Sequence, residues 1–183
     1  MNTQTLASTP RRQRGLSLVE SLIVLAVTTV SLGAALPSFQ DARVRRHFDG
    51  VAAQLQTDLY MARSLAAAHD RNVRISFKTD TAGSCYIVHT GPADACSCNA
   101  DGSASCTNGE LAMRSVRLGL GEAVQLRSNV PSILFDSAKG TSTPTGTLRV
   151  VGADQRAVHL VVNIMGRVRT CSPNGAVPGY KAC

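Results

Sequence analysis

Residues 16–36 read LSLVESLIVLAVTTVSLGAAL, a run of 21 residues in which Glu20 is the single charge. At a rise of about 1.5 Å per residue, a helix of this length crosses a hydrocarbon core about 30 Å thick. A secretory signal would have a shorter apolar core and then a small-residue cleavage site, whereas here the pattern continues past Pro37 as a helix. The run therefore predicts a retained helix that spans a membrane once.

The 15 residues before this run, MNTQTLASTPRRQRG, are polar, lack periodicity and end in three arginines before Gly15. We interpret residues 1–15 as a leader that is removed from the mature chain. The leader holds three of the 19 basic residues and none of the 12 acidic ones, so its removal lowers the formal charge from +7 to +4. This mild basicity fits an anionic partner such as nucleic acid or lipid headgroups, and it also fits a protein that merely stays soluble.

After Pro37 the apolar residues follow helical spacing, and after residue 70 they alternate. Spacings of three and four residues predict an amphipathic helix over 38–70 that ends near His69, with a kink expected at Pro37. Alternation over residues 71–183 predicts short antiparallel strands. They fall at Val73–Phe77, Cys85–His89, Val116–Leu118, Val124–Leu126, Ile133–Phe135, Thr147–Val151 and Ala157–Ile164.

The six cysteines all follow the apolar run and form no C-x-x-C pair of the zinc or thioredoxin kind. Disulfides are therefore favoured over metal, which places the β-rich part in an oxidising compartment outside the cytoplasm. Cys171 is expected to pair with Cys183, because closing that loop contributes on the order of 3 kcal/mol. Cys96 and Cys98 are too close to pair with each other, so each is expected to find Cys85 or Cys106, and both connectivities stay open.

Residues that carry enzymatic chemistry are scattered. The four histidines (His47, His69, His89, His159) form no H-E-x-x-H motif and no Cys/His cluster at zinc spacing. The sequence has no G-x-S-x-G, no phosphate-binding P-loop and no complete dinucleotide fingerprint. We expect no enzymatic activity, no cofactor and no metal site.

The segment Arg14-Gly15-Leu16-Ser17-Leu18-Val19-Glu20 resembles the type IV prepilin processing site. The resemblance implies that a prepilin peptidase cuts between Gly15 and Leu16, and that the new amino terminus of Leu16 is methylated. Leu16 and Leu18 stand where family members commonly have Phe and Thr, while the glycine and the glutamate match. A carboxylate inside an apolar span costs roughly 2.5 to 3.5 kcal/mol and usually has a functional partner. For Glu20 the resemblance implies the amine of Leu16 in a neighbouring subunit, and the simpler alternative is a side chain that reaches the headgroups.

The segment Asn163-Ile164-Met165-Gly166-Arg167-Val168-Arg169-Thr170-Cys171 resembles the C-terminal part of the FimT/GspH group of minor pilins. In that group a G-R-x-R sequence is associated with binding DNA during natural transformation. On a strand, Arg167 and Arg169 lie on one face, and their planar donor forks suit phosphate oxygens. Lys181 is a weaker candidate for a further phosphate contact. The alternative is that both arginines are the solvated side of an edge strand, where charge opposes aggregation.

Together these resemblances imply an α+β pilin fold, in which a long N-terminal helix packs on a C-terminal antiparallel sheet. The expected divisions are 1–15 as leader, 16–37 as the membrane or fibre-core helix, 38–70 as the amphipathic helix and 71–183 as the disulfide-bearing domain. The expected partners are other pilin subunits, the prepilin peptidase, the bacterial inner membrane and DNA. The C-terminal domain is expected in the periplasm before assembly and on a pilus at the cell surface afterwards.

Two functions fit this sequence. The first is a minor type IV pilin that binds extracellular DNA for uptake. The second is a minor pilin or type II secretion pseudopilin that primes fibre assembly without binding DNA. The arginines distinguish the two, because the first needs Arg167 and Arg169 whereas the second needs the apolar helix and Glu20.

Overall fold

The computed structural model describes residues 17–183. The predicted leader, the predicted cleavage site at Gly15 and the predicted methylation site at Leu16 lie outside the described residues. Contacts divide the chain into two compact units, Met1–Ala42 and Arg43–Cys183. Helix α1 (Leu18–His69) extends from the first unit into the second and ends at the residue that the sequence predicts. Asp70 then takes a φ of 47°, in the left-handed region, which ends the helical path.

The first unit contributes the N-terminal part of α1. Every side chain described there, in residues 18–34 and 39–42, is exposed. The hydroxyl groups of Thr28, Thr29 and Ser31 donate to carbonyl oxygens one turn earlier at 2.9, 2.6 and 2.8 Å, which satisfies them within the helix itself. By length and composition, α1 is apolar enough to cross a membrane.

The second unit contains the C-terminal part of α1, eleven strands and a short 3-10 helix among the described residues. The strands are β1 (Val73–Asp80), β2 (Gly83–Thr90), β3 (Cys96–Cys98), β4 (Ala104–Cys106), β5 (Ala112–Gly119), β6 (Val124–Ser128), β7 (Ser132–Phe135), β8 (Ser142–Thr143), β9 (Gly146–Gly152), β10 (Ala157–Val162) and β11 (Val168–Cys171). The 3-10 helix covers Pro173–Gly175.

All pairings between these eleven strands are antiparallel, and they form three sheets. A five-stranded sheet has the order β5-β2-β1-β7-β8, a four-stranded sheet has the order β11-β10-β9-β6, and β3 pairs with β4 alone. The predicted architecture, a helix packed on antiparallel sheet, is confirmed.

The core of the second unit lies between α1 and the inner faces of the two larger sheets. One stripe of α1 is buried at three- and four-residue spacings and consists of Phe48, Ala52, Leu55, Leu59, Ala62 and Ala66. Buried residues also alternate along β6, β9 and β10, so each of these strands has one face in the core and the other in solvent.

Three disulfides join the six cysteines. The structure pairs Cys85 with Cys98, Cys96 with Cys106, and Cys171 with Cys183. Cys96 and Cys106 are direct partners in the register of β3 and β4, so this bond joins the two strands of the small sheet. The region that the sequence shows as rich in Gly, Ser and Asn therefore contains a small disulfide-linked hairpin that alternation does not reveal.

Candidate nucleic-acid interface

The predicted arginines lie in and beside a tight turn between β10 and β11. The Gly166 N–H donates to the Asn163 carbonyl at 2.9 Å, and the Arg167 N–H donates to Asn163 Oδ1 at 2.9 Å. Gly166 has a φ of 67°, which favours glycine at this position. Asn163 and Gly166 thus fix the backbone from which the Arg167 side chain leaves.

Arg167 and Arg169 are both exposed, and Val168 between them is buried. Arg167 comes immediately before β11, whereas Arg169 lies within that strand opposite Val161. Within residues 17–183, neither guanidinium forms a hydrogen bond or an ion pair with another residue. The two donor forks are therefore available for an external anion.

Arg63 of α1 is a third guanidinium at this turn. Its Cδ and Nε atoms lie 3.2 Å from the point where a Cβ on Gly166 would stand. A side chain at position 166 would displace Arg63, so glycine here allows both the turn and the close approach of the helix. Sequence reasoning missed Arg63, because it precedes the turn by about 100 residues and no local pattern links them.

The C-terminal tail returns to the end of β11 and is fixed there by the disulfide between Cys171 and Cys183. The Ser172 N–H donates to the Lys181 carbonyl at 2.8 Å, and the Cys183 N–H donates to the Ser172 carbonyl at 3.1 Å. The Lys181 side chain is exposed. The tail thus holds the Lys181 backbone beside the residue that follows β11.

His159 lies beside this disulfide, with Nδ1 3.8 Å from the sulfur of Cys183. Burial, and then the charge of Arg149, lower the pKa of His159. The histidine nitrogen and the sulfurs of Cys171 and Cys183 lie within 4.8 Å of one another, a spacing that would suit a metal ion. Because the two sulfurs are bonded to each other and metals bind the thiolate, this cluster is a disulfide beside a histidine.

Two polar clusters in the second unit are largely enclosed. Asp58 is 2% exposed and accepts a hydrogen bond from the hydroxyl of Tyr86 at 2.7 Å. Its carboxylate also forms an ion pair with Arg114 at 2.9 Å. His89 is fully buried, with Ser76 Oγ 2.8 Å from Nε2 and the Thr90 carbonyl 2.7 Å from Nδ1. Arg114 is the one exposed member, with 41% of its side chain accessible, whereas Asp58, Tyr86, His89 and Ser76 are buried. Both clusters therefore satisfy buried polar groups and help to hold the fold together.

Glu20 belongs to the first unit and is exposed on α1. Among residues 17–183 it has no ion pair or hydrogen bond through its carboxylate. Its neighbours along the helix are exposed apolar side chains, including Val19, Leu22 and Ile23.

Two family models match the chain. The model described as type II transport protein GspH matches residues 51–166, and the model of the prokaryotic N-terminal methylation motif matches residues 10–36. No curated protein sequence matches.

Among solved structures, the chain is similar to the type IV minor pilin FimU of Pseudomonas aeruginosa strain PAO1, seen in two crystal forms. The first is 18% identical with a TM-score of 0.54 and covers 74% of this chain and 96% of FimU. The second is 19% identical with a TM-score of 0.51 and covers 72% and 98%. The minor pseudopilin EpsH from the type 2 secretion system of Vibrio cholerae follows, at 16% identity, a TM-score of 0.48, and coverage of 68% and 96%. The FimU similarity establishes a shared fold.

Proposed function

The chain belongs to the GspH family, whose model covers residues 51–166, and from this premise we propose that it is a minor pilin that binds extracellular DNA for uptake. That it is a minor pilin or pseudopilin of a type IV pilus or a type II secretion system is established by the family. The proposal adds DNA as the partner and natural transformation as the process. The observation that supports it is the pair of exposed arginines, Arg167 and Arg169, which follow a turn whose Gly166 is approached by the Arg63 side chain.

Phosphate is the part of DNA that this site suits. A guanidinium donates two parallel hydrogen bonds to a pair of oxygens, and phosphate contacts require no particular base sequence. Lys181 supplies a further positive charge on the tail that is fixed beside β11. Binding is therefore expected to be independent of sequence and to weaken steeply as salt rises, because each phosphate contact releases counterions.

The remaining predictions belong to the same proposal. A prepilin peptidase cuts after Gly15, Leu16 is methylated, and the apolar helix holds the protein in the inner membrane before it joins other pilin subunits. The N-terminal methylation motif over residues 10–36 supports these steps. Intact mass and N-terminal sequencing of the mature protein test them, and the expected result is a chain that begins at Leu16 and carries one additional methyl group.

The second candidate function is priming of fibre assembly without DNA. It is favoured by the first unit, in which Glu20 lies among exposed apolar side chains and has no partner within residues 17–183. In this function the carboxylate pairs with the amine of Leu16 of a neighbouring subunit, and Arg167 and Arg169 have no role.

The test replaces Arg167→Gln together with Arg169→Gln at the native locus and measures transformation frequency and the number of surface pili. The control is Arg43→Gln with Arg71→Gln, which removes the same charge from two exposed arginines elsewhere. We expect transformation to fall by on the order of tenfold or more, since two phosphate contacts are lost, while pili remain. Loss of pili would favour the assembly function, and unchanged transformation would exclude these arginines from DNA uptake.

A further inference from the structure

A second set of arginines lies on the outer face of the four-stranded sheet. In the register of that sheet, Arg127 of β6 is directly opposite Arg149 of β9, and Arg149 is directly opposite His159 of β10. Arg169 of β11 lies diagonally beyond His159, because His159 pairs with Cys171 two residues further along. From the spacing of strands and residues, Arg149 and Arg169 are about 12 Å apart between their backbones. We call Arg127, Arg149 and Arg169 the basic face.

The basic face points to solvent because the opposite side of the same strands forms the core. Arg127, Arg149 and Arg169 are exposed, whereas their strand neighbours Leu126, Leu148 and Val168 are buried. The fold of the second unit itself therefore presents these side chains outward. None of the three belongs to the enclosed polar clusters of the core.

Among the described residues, no Asp or Glu occupies an outward position of these four strands. The other outward positions of the four strands are Gln125, Thr147, Val151, Ala157, His159, Val161 and Cys171. Within residues 17–183, none of the three guanidinium groups has an ion pair or hydrogen bond. The nearby Asp154, in the turn between β9 and β10, forms its ion pair with Arg156.

Like charges that are directly opposite each other on a sheet lower stability. Arg127 and Arg149 are such a pair, and within residues 17–183 neither has an ion pair that would offset the repulsion. An acid or a neutral side chain at either position would give a more stable sheet, so stability alone does not explain the pair. The arrangement is explained if an external anion supplies the missing negative charge.

We propose that the basic face binds the phosphate backbone of double-stranded DNA and extends the site at Arg167 and Arg169 across the whole four-stranded sheet. This inference rests on the proposed function, and it adds Arg127 and Arg149 as contacts and the duplex as the form of DNA. Four strands at about 4.8 Å spacing give a surface about 14 Å wide, on which guanidinium groups reach phosphates side by side.

The side chains of this surface favour a duplex over a single strand. Proteins that hold single strands stack the bases on aromatic rings. The outward positions of β6, β9, β10 and β11 contain three arginines and one histidine but no Phe, Tyr or Trp. His159, half-buried beside the disulfide, is the single ring at these positions. Contacts to the phosphates of an intact duplex need no such platform.

The test measures binding of the full chain, held in a neutral detergent, to a fluorescent duplex and to a single strand of equal length. Four proteins are compared between about 50 and 200 mM salt. They are the wild type, Arg127→Gln/Arg149→Gln, Arg167→Gln/Arg169→Gln, and the charge-matched control Arg43→Gln/Arg71→Gln. We expect the basic-face variant to bind the duplex about tenfold more weakly at low salt, with a salt slope smaller by about two.

The pattern across the four proteins separates this inference from the proposed function. Weakening in both test variants but not in the control supports both. Weakening in Arg167→Gln/Arg169→Gln alone overturns the basic face and leaves the proposed function standing. Weakening in Arg127→Gln/Arg149→Gln alone supports Arg127 and Arg149 as contacts and overturns the role of the two motif arginines, including Arg169 as a member of the basic face. An equal loss in the control, or no binding by the wild type, overturns both.

Further measurements distinguish duplex DNA from single strands and from anionic lipid. Tighter binding to the single strand, or binding to vesicles with anionic headgroups in place of DNA, overturns the assignment to duplex DNA.

Arg127→Lys/Arg149→Lys keeps the charge, so its salt slope should stay within about one unit of the wild type, and a full loss of binding would contradict phosphate binding. The variant Arg127→Gln/Arg149→Gln should melt about 1–3 °C higher than the wild type, because the like-charge pair is removed. A melting temperature at or above that of the wild type shows that weaker binding does not come from loss of folding.

Discussion

The two parts of α1 have the same secondary structure and opposite surroundings. From Leu18 to Leu32 the large apolar side chains are exposed on all sides, with Leu18 at 76% and Leu32 at 65%. From Phe48 to Ala66 the apolar side chains form one stripe, and Leu55 and Leu59 are completely buried. A helix that is apolar all round requires a membrane or other subunits to cover it, whereas a striped helix is covered by its own domain. The same element therefore serves assembly at one end and folding at the other.

The carboxylates of the two parts differ in the same way. Asp58 is enclosed by Tyr86 and Arg114, and Gln54 donates to it at 3.0 Å. Burial and the Asp58 carboxylate raise the pKa of Tyr86, so its phenol stays protonated and donates. Glu20 is exposed and has no such partner within residues 17–183. A polar group that is satisfied within the chain supports the fold, and one that is not is available to another molecule.

The sharpest test of this comparison is one truncation in each part of the helix. Leu59→Ala should lower the free energy of unfolding of the second unit by about 2–5 kcal/mol, because it leaves a cavity in the core. Leu25→Ala should leave that value unchanged. Urea unfolding followed by tyrosine signals measures the second unit specifically, since Tyr60, Tyr86 and Tyr180 all lie there. Equal effects of the two substitutions would remove the distinction between the parts.

Removing the two carboxylates in turn should again change the stability of the second unit at one site and not at the other, by a smaller amount than the leucine truncation. Asp58→Ala should lower the free energy of unfolding by about 1–3 kcal/mol, because the hydroxyl of Tyr86 is then buried without an acceptor. Glu20→Ala should not change it, and its effect should appear in the number of assembled fibres. The measurement is again urea unfolding, with Tyr86→Phe/Asp58→Ala as the variant that restores part of the loss. A loss of stability in Glu20→Ala would contradict the comparison.

Acid should destabilise the second unit. Burial lowers the pKa of His89 below its ordinary value of 6.5, so the unfolded chain binds a proton more readily than the folded chain. The free energy of unfolding is therefore highest above pH 6.5 and falls as the pH drops below it, by at most about 1.4 kcal/mol per pH unit.

Unfolding at pH 5 and pH 8 measures this effect. His89→Gln should reduce the pH dependence and leave the part that comes from the lowered pKa of His159, whereas His69→Gln, which alters an exposed histidine, should not change it. If His89→Gln shows the same slope as the wild type, another group causes it.

The sequence predicts α1 and the larger strands well, because their signals are local. The end of α1 at His69 follows from the loss of apolar spacing, and the alternation in β9 and β10 matches their buried and exposed faces. It does not reveal β3, β4 and β8, which are two or three residues long and too short to show a period, and β11 is also absent from the predicted strands.

Neighbours that are distant in sequence were also beyond prediction. Arg149 lies within a predicted strand and Arg127 lies just after the end of another, but the period of two does not show that β6 pairs with β9 and brings the two together. The approach of Arg63 to Gly166 depends likewise on how the helix meets the sheet. The sequence could thus predict the motif arginines of the candidate site. Only the fold shows which other arginines lie on the same surface.

The closed edge of β11 has a consequence for solubility. Val168, Thr170 and Ser172 direct their backbone polar groups away from β10, toward the place where a foreign strand would add. The hydroxyl of Tyr60 donates to the Val168 carbonyl at 3.3 Å, and the returning tail uses both the N–H and the carbonyl of Ser172. The stretch of this edge left open around Thr170 is too short to template strand addition. Copies of the protein can therefore be crowded side by side in a fibre without amyloid-like pairing through this edge.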